Sequence, residues 1–473
     1  MKIKFYYMNW LPFTKRFVYF KQVFMKRIFS YGLSLSMMLA VAIACGNDAS
    51  RTGNSNKDSA ETPQPTTDTT DESEKPALPG DVQLKLPGGF TAIEVTAGVG
   101  RARHLVVNSN GDIYVKLSNA NSGKSIVILK DKNGDGIADE TSGFGNYGGT
   151  GIAIKHGYLY ASSNDEVFRY KFNAKNEVED PGNPEKIITG LVNGNQHNTK
   201  SIALDDNGNI YVNIGAPSNA CQEIDRTRGS KGIDPCPILA KAGGIWQFRA
   251  DKLNQSYEQG TRYATGIRNV VGLDWNSQSK QLYAMQHGRD QLHDFFPELY
   301  DEKQSAELPA EEMLLVKKGS NFGWPYCYYD QVQSKKILAP EYGGNAKTQG
   351  RCAGVDQPIM AFPGHWAPNA LLFYTGKQFP EHYRNGAFIC FHGSWNRAPL
   401  NQAGFFVAFV PFKNGKPSGL YEVFADGFAG GAEIKGPAQA KHRPMGLAIG
   451  PDGSLYISDS VKGTVWKIVY KGK

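Results

Sequence analysis

Cysteine is scarce in this sequence, and the few cysteines are not arranged for redox or haem chemistry. The 473 residues include six cysteines, and none of them forms a C-x-x-C or C-x-x-C-H motif. Such motifs carry thiol redox pairs and covalently attached c-type haem. Their absence from the sequence argues against both kinds of electron carrier in this chain.

The excess of charge is also small for the length of the chain. There are 52 basic and 45 acidic residues, a formal charge of +7, and the first 26 positions contribute basic residues and no acid. The remainder is only mildly basic, which gives no support to nucleic-acid binding. Glycine is abundant at 53 residues and aromatic residues make up 12%, a composition typical of many short strands and turns.

Residues 1–45 have the pattern of a secretory signal peptide. Lys26 and Arg27 precede an apolar run from Ile28 to Ala44, and small residues lead up to Cys45. This pattern predicts export, and the residues before Cys45 resemble a bacterial lipobox, in which the cysteine is lipidated. Plain cleavage and a retained transmembrane anchor are the alternatives. We therefore expect secretion across the inner membrane and a periplasmic or cell-surface protein, attached to the membrane through a lipid anchor only.

The segment after this cysteine differs sharply from the rest of the chain. Residues 46–80 consist mostly of Ser, Thr, Asp, Glu, Asn and Pro and contain almost nothing to bury, so they cannot offset the entropy lost on folding. We predict a disordered tether here and a folded domain over residues 81–473.

One pattern recurs through the folded domain: an apolar strand, a turn built on Asn-Gly, Asp-Gly or an equivalent, and an alternating strand with an aromatic residue. Such turns favour two-residue hairpins. Six irregularly spaced copies over nearly 400 residues predict an all-β, six-bladed β-propeller, with the run near Phe90 closing the ring; a β-sandwich is the alternative. The copies begin at His104, Gly151, Ser201, Gly272, Leu371 and Gly446.

Five cysteines remain after residue 45, in a compartment where disulfides persist. Cys221 and Cys236 bracket one loop, and Cys327 and Cys352 bracket another. We predict these two disulfides, which leave Cys390 as a buried thiol in an apolar strand.

Polar residues flank several of the predicted strands. His197 precedes one strand and can act as a general base, because the reference pKa of histidine lies near neutrality. Arg268 and Asn269 precede another strand, and a guanidinium at such a position can hold a carboxylate through two hydrogen bonds. Arg443 opens the last blade. Arginines from several blades predict an anionic ligand in the channel, although each residue taken alone also fits a structural role in its loop.

Two segments have features of calcium sites. Gly288 and Arg289 lie in a polar turn whose backbone carbonyls can point inward, and calcium prefers such hard oxygen ligands. Asp131, Asn133 and Asp135 alternate as at the start of a calcium loop, but Ser142 stands where a bidentate acid is expected. The alternative for this second candidate site is an Asx-rich hairpin turn.

Taken in order, these loops resemble the soluble quinoprotein aldose and sorbosone dehydrogenase family, and more distantly the fungal quinone-dependent pyranose dehydrogenases. The resemblance extends from about Leu86 to Tyr470, and its motifs in order are QHN, GIRN, HGRD, NFGWP, HGSWNR and HRPMG. It implies a six-bladed propeller that binds pyrroloquinoline quinone (PQQ) and calcium, oxidises a sugar or aldehyde, and passes electrons to an external acceptor.

The resemblance also implies roles for individual residues. His197 matches the family's general base, and Arg268, Asn269 and Arg443 match cofactor contacts. Gly288 and Arg289 match the residues whose backbone carbonyls bind calcium. Met445 stands where aldose dehydrogenases have a second arginine, and a family lysine is missing from the HGSWNR region, so we expect His392 or Arg397 to replace it.

Two other classes of function compete with the dehydrogenase. A calcium-dependent hydrolase of the lactonase kind would require several carboxylates around a calcium ion in the channel. A non-catalytic propeller that binds a glycan or a protein would suit a lipid anchor and a tether equally well, because a propeller fold does not imply an enzyme. Convergence of His197, Arg268 and Arg443 at one end of the channel would favour the dehydrogenase.

Overall fold

The computed structural model of the protein describes residues 82–431 and 433–472. The predicted signal peptide (1–45), its lipidation at Cys45 and the predicted tether (46–80) lie outside the described residues. Within the described part of the chain, no helix is long and apolar enough to span a bilayer.

Six sheets, each built on four antiparallel strands, make up the domain. The first hairpin of each sheet is one of the six hairpins predicted from the sequence. The inner strands of neighbouring sheets lie side by side in a complete ring around a central channel. The predicted six-bladed β-propeller is therefore confirmed, and the β-sandwich is excluded.

The strands follow one another blade by blade. The first strand, β1 (Phe90–Thr96), belongs to the last blade. Blade 1 consists of β2 (Ala102–Val107), β3 (Ile113–Asn121), β4 (Lys124–Lys130) and β5 (Glu140–Phe144). Blade 2 consists of β6 (Ile152–Lys155), β7 (Tyr158–Ser162), β8 (Val167–Lys171) and β9 (Glu185–Thr189). Blade 3 consists of β10 (Ile202–Leu204), β11 (Asn209–Ile214), β12 (Gly244–Arg249) and β14 (Thr261–Thr265), while β13 (Gln255–Ser256) pairs with β9.

The remaining blades carry longer insertions. Blade 4 consists of β15 (Val270–Asn276), β16 (Gln281–Gln286), β17 (Glu311–Val316) and β21 (Met360–Phe362). Its insertions hold two short helices, a strand that pairs with β14, and a separate hairpin: α1 (Leu292–Phe295), α2 (Glu302–Glu307), β18 (Ser320–Asn321), β19 (Cys327–Asp330) and β20 (Lys335–Leu338). Blade 5 consists of β22 (Pro368–Phe373), β23 (Ala387–Phe391), β24 (Phe406–Val410) and β27 (Glu422–Ala425), with a small hairpin of β25 (Phe412–Lys413) and β26 (Lys416–Pro417). Blade 6 consists of β28 (Pro444–Ile449), β29 (Leu455–Asp459) and β30 (Val465–Tyr470).

Blade 6 is completed by the start of the domain. Strand β1 pairs antiparallel with β30, from Phe90 opposite Tyr470 to Thr96 opposite Val465. The Phe90 ring lies edge-on against Phe379 and Phe424 of blade 5, with centroids 4.8 and 5.1 Å apart. This confirms the predicted closure of the ring by the segment near Phe90.

Local turn chemistry and packing between blades explain why these segments form the propeller. The turn between β6 and β7 has φ of +50° at His156 and +79° at Gly157, the positive values that a type I′ hairpin turn requires. Apolar side chains then interlock between neighbouring blades; Phe388 of blade 5, for example, is fully buried in a cluster that includes Trp466 of blade 6. Burying a phenylalanine contributes roughly 1.5–3 kcal/mol.

Both predicted disulfides are present. Cys221 is bonded to Cys236, and Cys327 is bonded to Cys352. Cys390 is a buried free thiol in β23, as predicted. The first disulfide closes the long loop between β11 and β12, and this loop lies beside the candidate active site described next.

Candidate active site

Polar side chains gather at one end of the channel, where the inner strands begin and their neighbours end. Because β15 and β16 are antiparallel, Val270 at the start of β15 lies opposite Gln286 at the end of β16, and blades 5 and 6 repeat this arrangement. Segments just before an inner strand and just after its neighbour therefore meet. The charges of two arginines reach histidines on other blades, since, in addition to burial, Arg268 lowers the pKa of His197 and Arg103 lowers the pKa of His287 and of His392. The residues predicted on separate loops therefore share one site.

His197 has the properties of a neutral general base. Its Nδ1 is 2.6 Å from the carbonyl oxygen of Ala216; with a proton on Nδ1 donated to that carbonyl, the lone pair of Nε2 is left, and no described residue bonds to it. Burial, followed by the positive charge of Arg268, lowers the pKa of His197 to about 3. The imidazole is therefore uncharged at neutral pH and can accept a proton.

Close backbone packing fixes this histidine beside Asn269. His197 adopts a left-handed φ of +52°, which is uncommon for a residue other than glycine. A Cβ atom on Gly215 would lie 2.6 Å from the His197 Cβ and 2.7 Å from the Asn269 Oδ1. Only glycine lets the loops of blades 3 and 4 approach this closely, so Gly215 is a requirement of the site.

Asp290 connects loops from three blades through its carboxylate. Its Oδ2 accepts hydrogen bonds from Arg268 at 2.7 Å and from Arg226 at 2.8 Å, and its Oδ1 accepts one from Asn396 at 2.8 Å. Although burial opposes ionisation, the charge of Arg268, among others, lowers the pKa of Asp290 well below its usual range. The carboxylate thus stays charged and holds loops from blades 3, 4 and 5 together.

Arg268 is almost fully buried, and most of its donors are used. It is 3% exposed, and it donates to the Gly288 carbonyl at 2.9 Å as well as to Asp290. Its Nε is buried and makes no hydrogen bond with the described residues. A ligand that reaches this nitrogen would complete the hydrogen bonding of the guanidinium.

Three further histidines line the site without adding charge. His104 contacts the Asn369 carbonyl at 2.7 Å, His287 contacts the Pro368 carbonyl at 3.1 Å, and His392 contacts the Ser460 hydroxyl at 2.8 Å. Burial lowers the pKa of His104 and of His287 to about 4, and it lowers the pKa of His392 well below its usual range. The positive charge of the site therefore comes from arginines.

Arg103 and Arg443 form the positively charged side of the site. Arg103 donates to Thr150 Oγ1 at 2.9 Å, and burial, followed by the charges of Arg101 and Arg443, lowers its pKa to about 10. Arg443 donates to the carbonyls of His392 and Gly393 at 3.0 and 2.5 Å. Neither guanidinium has an ion pair among those of the described residues, so a negatively charged ligand would be favoured here.

Arg289 and Arg397 are used within the protein instead. The Arg289 guanidinium makes two hydrogen bonds with the buried carboxylate of Glu341, at 2.5 and 2.6 Å. Arg397 donates to Glu307 at 2.5 Å and to the Ala306 carbonyl at 2.7 Å. Of the two candidates for the missing lysine, the structure therefore brings His392 to the site and gives Arg397 other partners.

Neither candidate calcium site has the arrangement of a complete metal site. The Gly288 carbonyl accepts a hydrogen bond from Arg268, so a cation there would compete with a guanidinium. In the other loop, Asp131 accepts the N–H groups of Gly134 and Gly136, and Asn133 accepts that of Asp135, as in the Asx-rich turn. Among the described residues, no group of three or more His, Cys, Asp or Glu side chains is arranged to hold a metal ion. Calcium at either site stays a prediction.

Comparison with known proteins agrees with this geometry. The sequence profile of the TrAA12-like family matches residues 84–471. The chain belongs to the TrAA12-like family. A pyrroloquinoline quinone-dependent sugar dehydrogenase of Hypocrea jecorina is 24% identical to this TrAA12-like protein over 327 residues, which are 63% of this chain and 71% of that protein.

Solved structures share the fold of this TrAA12-like protein. The calcium structure of the Trichoderma reesei Carbohydrate-Active Enzymes Family AA12 protein superposes with a TM-score of 0.66 at 19% identity, covering 82% of this chain and 97% of that one. The holo form of the pyranose dehydrogenase PQQ domain from Coprinopsis cinerea also gives a TM-score of 0.66 at 19% identity, covering 83% and 98%.

Sequence reasoning missed two arginines of this TrAA12-like site. Arg103 is the second residue of the inner strand β2 and lies one position before His104, where the first predicted hairpin begins. Starting the first hairpin one residue earlier would have included it. Arg226 lies in the disulfide-closed loop, and no local pattern connects it with Asp290, which is 64 positions further on.

Proposed function

We propose that the protein is a PQQ-dependent dehydrogenase that oxidises the C1 hydroxyl of an aldose, or a related sugar or aldehyde, by hydride transfer to the quinone. The observation that carries this proposal is the pairing of an uncharged histidine, His197, with two arginines, Arg103 and Arg443, that form no ion pair among the described residues. Membership of the TrAA12-like family and the likeness to a PQQ-dependent sugar dehydrogenase support it.

The donor set fits a cofactor with three carboxylates. Arg103, Arg443 and the free Nε of Arg268 are available to negative oxygens, and hydrogen bonds between guanidinium groups and carboxylates are about twice as strong as neutral ones. Asn269 and His392 would add polar contacts to the cofactor. When bound, PQQ supplies the carbon centre that accepts a hydride.

His197 would take the proton of the sugar hydroxyl on Nε2. The Ala216 carbonyl fixes the tautomer by accepting from Nδ1, and the left-handed backbone of the loop fixes the ring. Asp290 is the compensating charge: it lies within electrostatic reach of His197 and opposes the effect of Arg268. The imidazolium that forms on proton uptake would be stabilised by this carboxylate.

The proposal includes a bound calcium ion but assigns no step of the reaction to it. The carbonyl oxygens of Gly288 and Arg289 are the right type of ligand, and one solved relative is a calcium structure. As arranged here, however, the Gly288 oxygen accepts from Arg268. We therefore derive no chemistry from the ion and treat its binding as a separate measurement.

Export and electron transfer complete the proposal. The signal-peptide pattern and Cys45 support a lipid-anchored protein in the periplasm or on the cell surface, where a sugar and an external electron acceptor meet the site. Because the sequence has no haem-attachment motif and no C-x-x-C pair, the electrons would leave to a separate acceptor.

The test is a titration of the purified protein with PQQ, with and without calcium, followed by dye reduction with a panel of aldoses and aldehydes. We expect saturable PQQ binding and sugar-dependent dye reduction. His197→Ala should lower kcat by about 100- to 10,000-fold, the usual contribution of a general base, without abolishing PQQ binding. His156→Ala, in the β6–β7 turn, is the control. Absence of PQQ binding at micromolar concentration would instead support a glycan-binding propeller.

A further inference from the structure

The disulfide-closed loop between Cys221 and Cys236 carries two charged residues that contact the candidate base loop. Asp225 accepts a hydrogen bond from the Gln196 side chain at 2.7 Å. It is held in place by Ser218, which donates to it at 2.6 Å, and by the Asn219 N–H at 3.0 Å. Gln196 is the immediate neighbour of His197, so this loop reaches the general base within one residue.

Arg226 connects three segments of the site through a single guanidinium. Its Nε and NH2 donate to Gln196 Oε1 at 3.2 and 3.1 Å, its NH1 donates to Gln291 Oε1 at 2.9 Å, and its NH2 donates to Asp290 Oδ2 at 2.8 Å. The same Asp290 oxygen accepts from Arg268. Arg226 thus ties the base loop to the carboxylate that holds the cofactor arginine.

Backbone conformation gives independent support for a functional role. Arg226, Gln291 and His197 all have left-handed φ angles, of +54°, +65° and +52°. Each such conformation in a residue other than glycine is strained, and such residues concentrate at functional sites. Here two of the three are joined by a hydrogen bond, and the third is next to a residue that Arg226 contacts.

We propose that Arg226 is a positioning residue of the active site, delivered by the Cys221–Cys236 loop, which sets the position of His197 through Gln196 and of Arg268 through Asp290. This inference rests on the proposed function. The Arg226 side chain is 28% exposed, so Arg226 lies at the rim of the site and can be replaced without leaving a cavity in the core. Lysine keeps the charge at this position but cannot make the four hydrogen bonds of the planar fork.

The first measurement does not depend on activity. Amide hydrogen exchange of the cofactor-free protein, followed by mass spectrometry, reports the opening of residues 194–200. We expect at least 5-fold faster exchange in Arg226→Ala and in Arg226→Lys. Arg228→Ala is the matched control, because Arg228 is exposed in the same loop and makes no side-chain hydrogen bond with the described residues, and it should leave the exchange unchanged.

The second measurement separates positioning from binding. Arg226→Ala should lower kcat by about 10- to 100-fold, since small misplacements of a catalytic group have effects of this size, while the sugar KM changes less than 3-fold and the melting temperature stays near that of Arg228→Ala. In a double-mutant cycle, Arg226→Ala combined with Gln196→Ala should lose less than the sum of the two single variants, because both single variants remove the contact between Arg226 and Gln196.

The outcomes distinguish this inference from the proposed function. If wild-type protein neither binds PQQ nor reduces dye, the proposed function fails, and the exchange data still decide whether Arg226 orders the His197 loop. If wild-type protein is active but Arg226→Ala has normal kcat and normal exchange, Arg226 is not a positioning residue. Additive losses in the double-mutant cycle would also overturn it, because Arg226 would then act independently of Gln196.

Discussion

The two sides of the candidate site differ in how their arginines are neutralised. On the side formed by blades 3, 4 and 5, Arg226 and Arg268 share Asp290, Arg289 has Glu341, and Arg397 has Glu307. On the side of blades 1 and 6, Arg103 and Arg443 have hydrogen bonds to a hydroxyl and to carbonyls but no ion pair within the described residues. We call the first side the framework side and the second the ligand side, because a negatively charged ligand would neutralise the arginines of the second side.

Under the proposed function, this difference predicts which arginines stabilise the protein and which would bind the cofactor. A buried ion pair tolerates the loss of one partner poorly, because the other charge is then left without compensation. A guanidinium without an acid partner has the opposite behaviour: its removal relieves repulsion in the free protein and weakens the complex. Three changes test whether the two sides behave in these ways.

The largest effect is expected from Asp290→Ala. This substitution leaves the buried guanidinium of Arg268 without its carboxylate, and we expect the free energy of unfolding to fall by about 3–5 kcal/mol, measured by denaturant titration. The control is Asp251→Asn, whose side chain is 66% exposed in a surface pair with Arg249 and should cost less than about 1 kcal/mol. Equal losses in both variants would contradict the framework role of Asp290.

A pH titration of stability is expected to give the next largest effect. His197, His104 and His287 have pKa values lowered to about 3, 4 and 4, below the ordinary value of about 6.5. The unfolded chain therefore binds more protons between pH 6.5 and pH 4, and stability is lost as the pH falls through this window. Glu311 and Asp274, whose pKa values burial raises to about 8 and about 7, act in the opposite direction, so we expect a net decrease of about 2–4 kcal/mol in the free energy of unfolding.

The same titration can be made specific to one side of the site. Arg103 is among the charges that lower the pKa of His104, His287 and His392. In Arg103→Ala the midpoints of the stability loss should move to higher pH, whereas Arg262→Ala on the outer strand of blade 3 should leave them unchanged. Midpoints that stay unchanged in Arg103→Ala would show that the charge of Arg103 does not act on these histidines.

The smallest expected effect concerns the ligand side at neutral pH. Arg103→Ala should change the free energy of unfolding by less than about 1 kcal/mol and should weaken PQQ binding by roughly 10- to 100-fold, as expected for one hydrogen bond between charged groups. Absorbance titration measures the affinity, with Arg262→Ala again as the control. Loss of stability without loss of PQQ affinity would show that Arg103 stabilises the fold and does not bind the cofactor.

Local chemistry explains which parts of the structure were predictable. The six hairpins follow from turns such as His156-Gly157 and from alternating strands, both of which are encoded within a dozen residues. The two disulfides follow from loops short enough to recognise. The helices α1 and α2 and the β19–β20 hairpin were not predicted, because they lie in insertions without repeating pattern.

The site was predictable where a residue flanks an inner strand, and not where its partner lies far away in the chain. His197 and Arg443 were found because their positions follow from the repeat. The resemblance placed Arg397 among the candidates for cofactor contact, but its partner Glu307 lies 90 positions earlier in the sequence. No sequence pattern near Arg397 predicts that contact. The same applies to the bridge that Arg226 makes to Asp290, since long-range ion pairs leave no local signal.

The pairing of β1 with β30 makes completion of the domain depend on both of its ends. During synthesis β1 emerges before every other strand, and it cannot pair until β30 has been made. Joining such distant segments costs loop-closure entropy. We therefore expect the pairing of β1 with β30 to be a late step in folding. A chain that stops early, even after all of blades 1 to 5, would leave β1 without a neighbour and the ring open, so the last strand serves as a check that the whole domain has been translated.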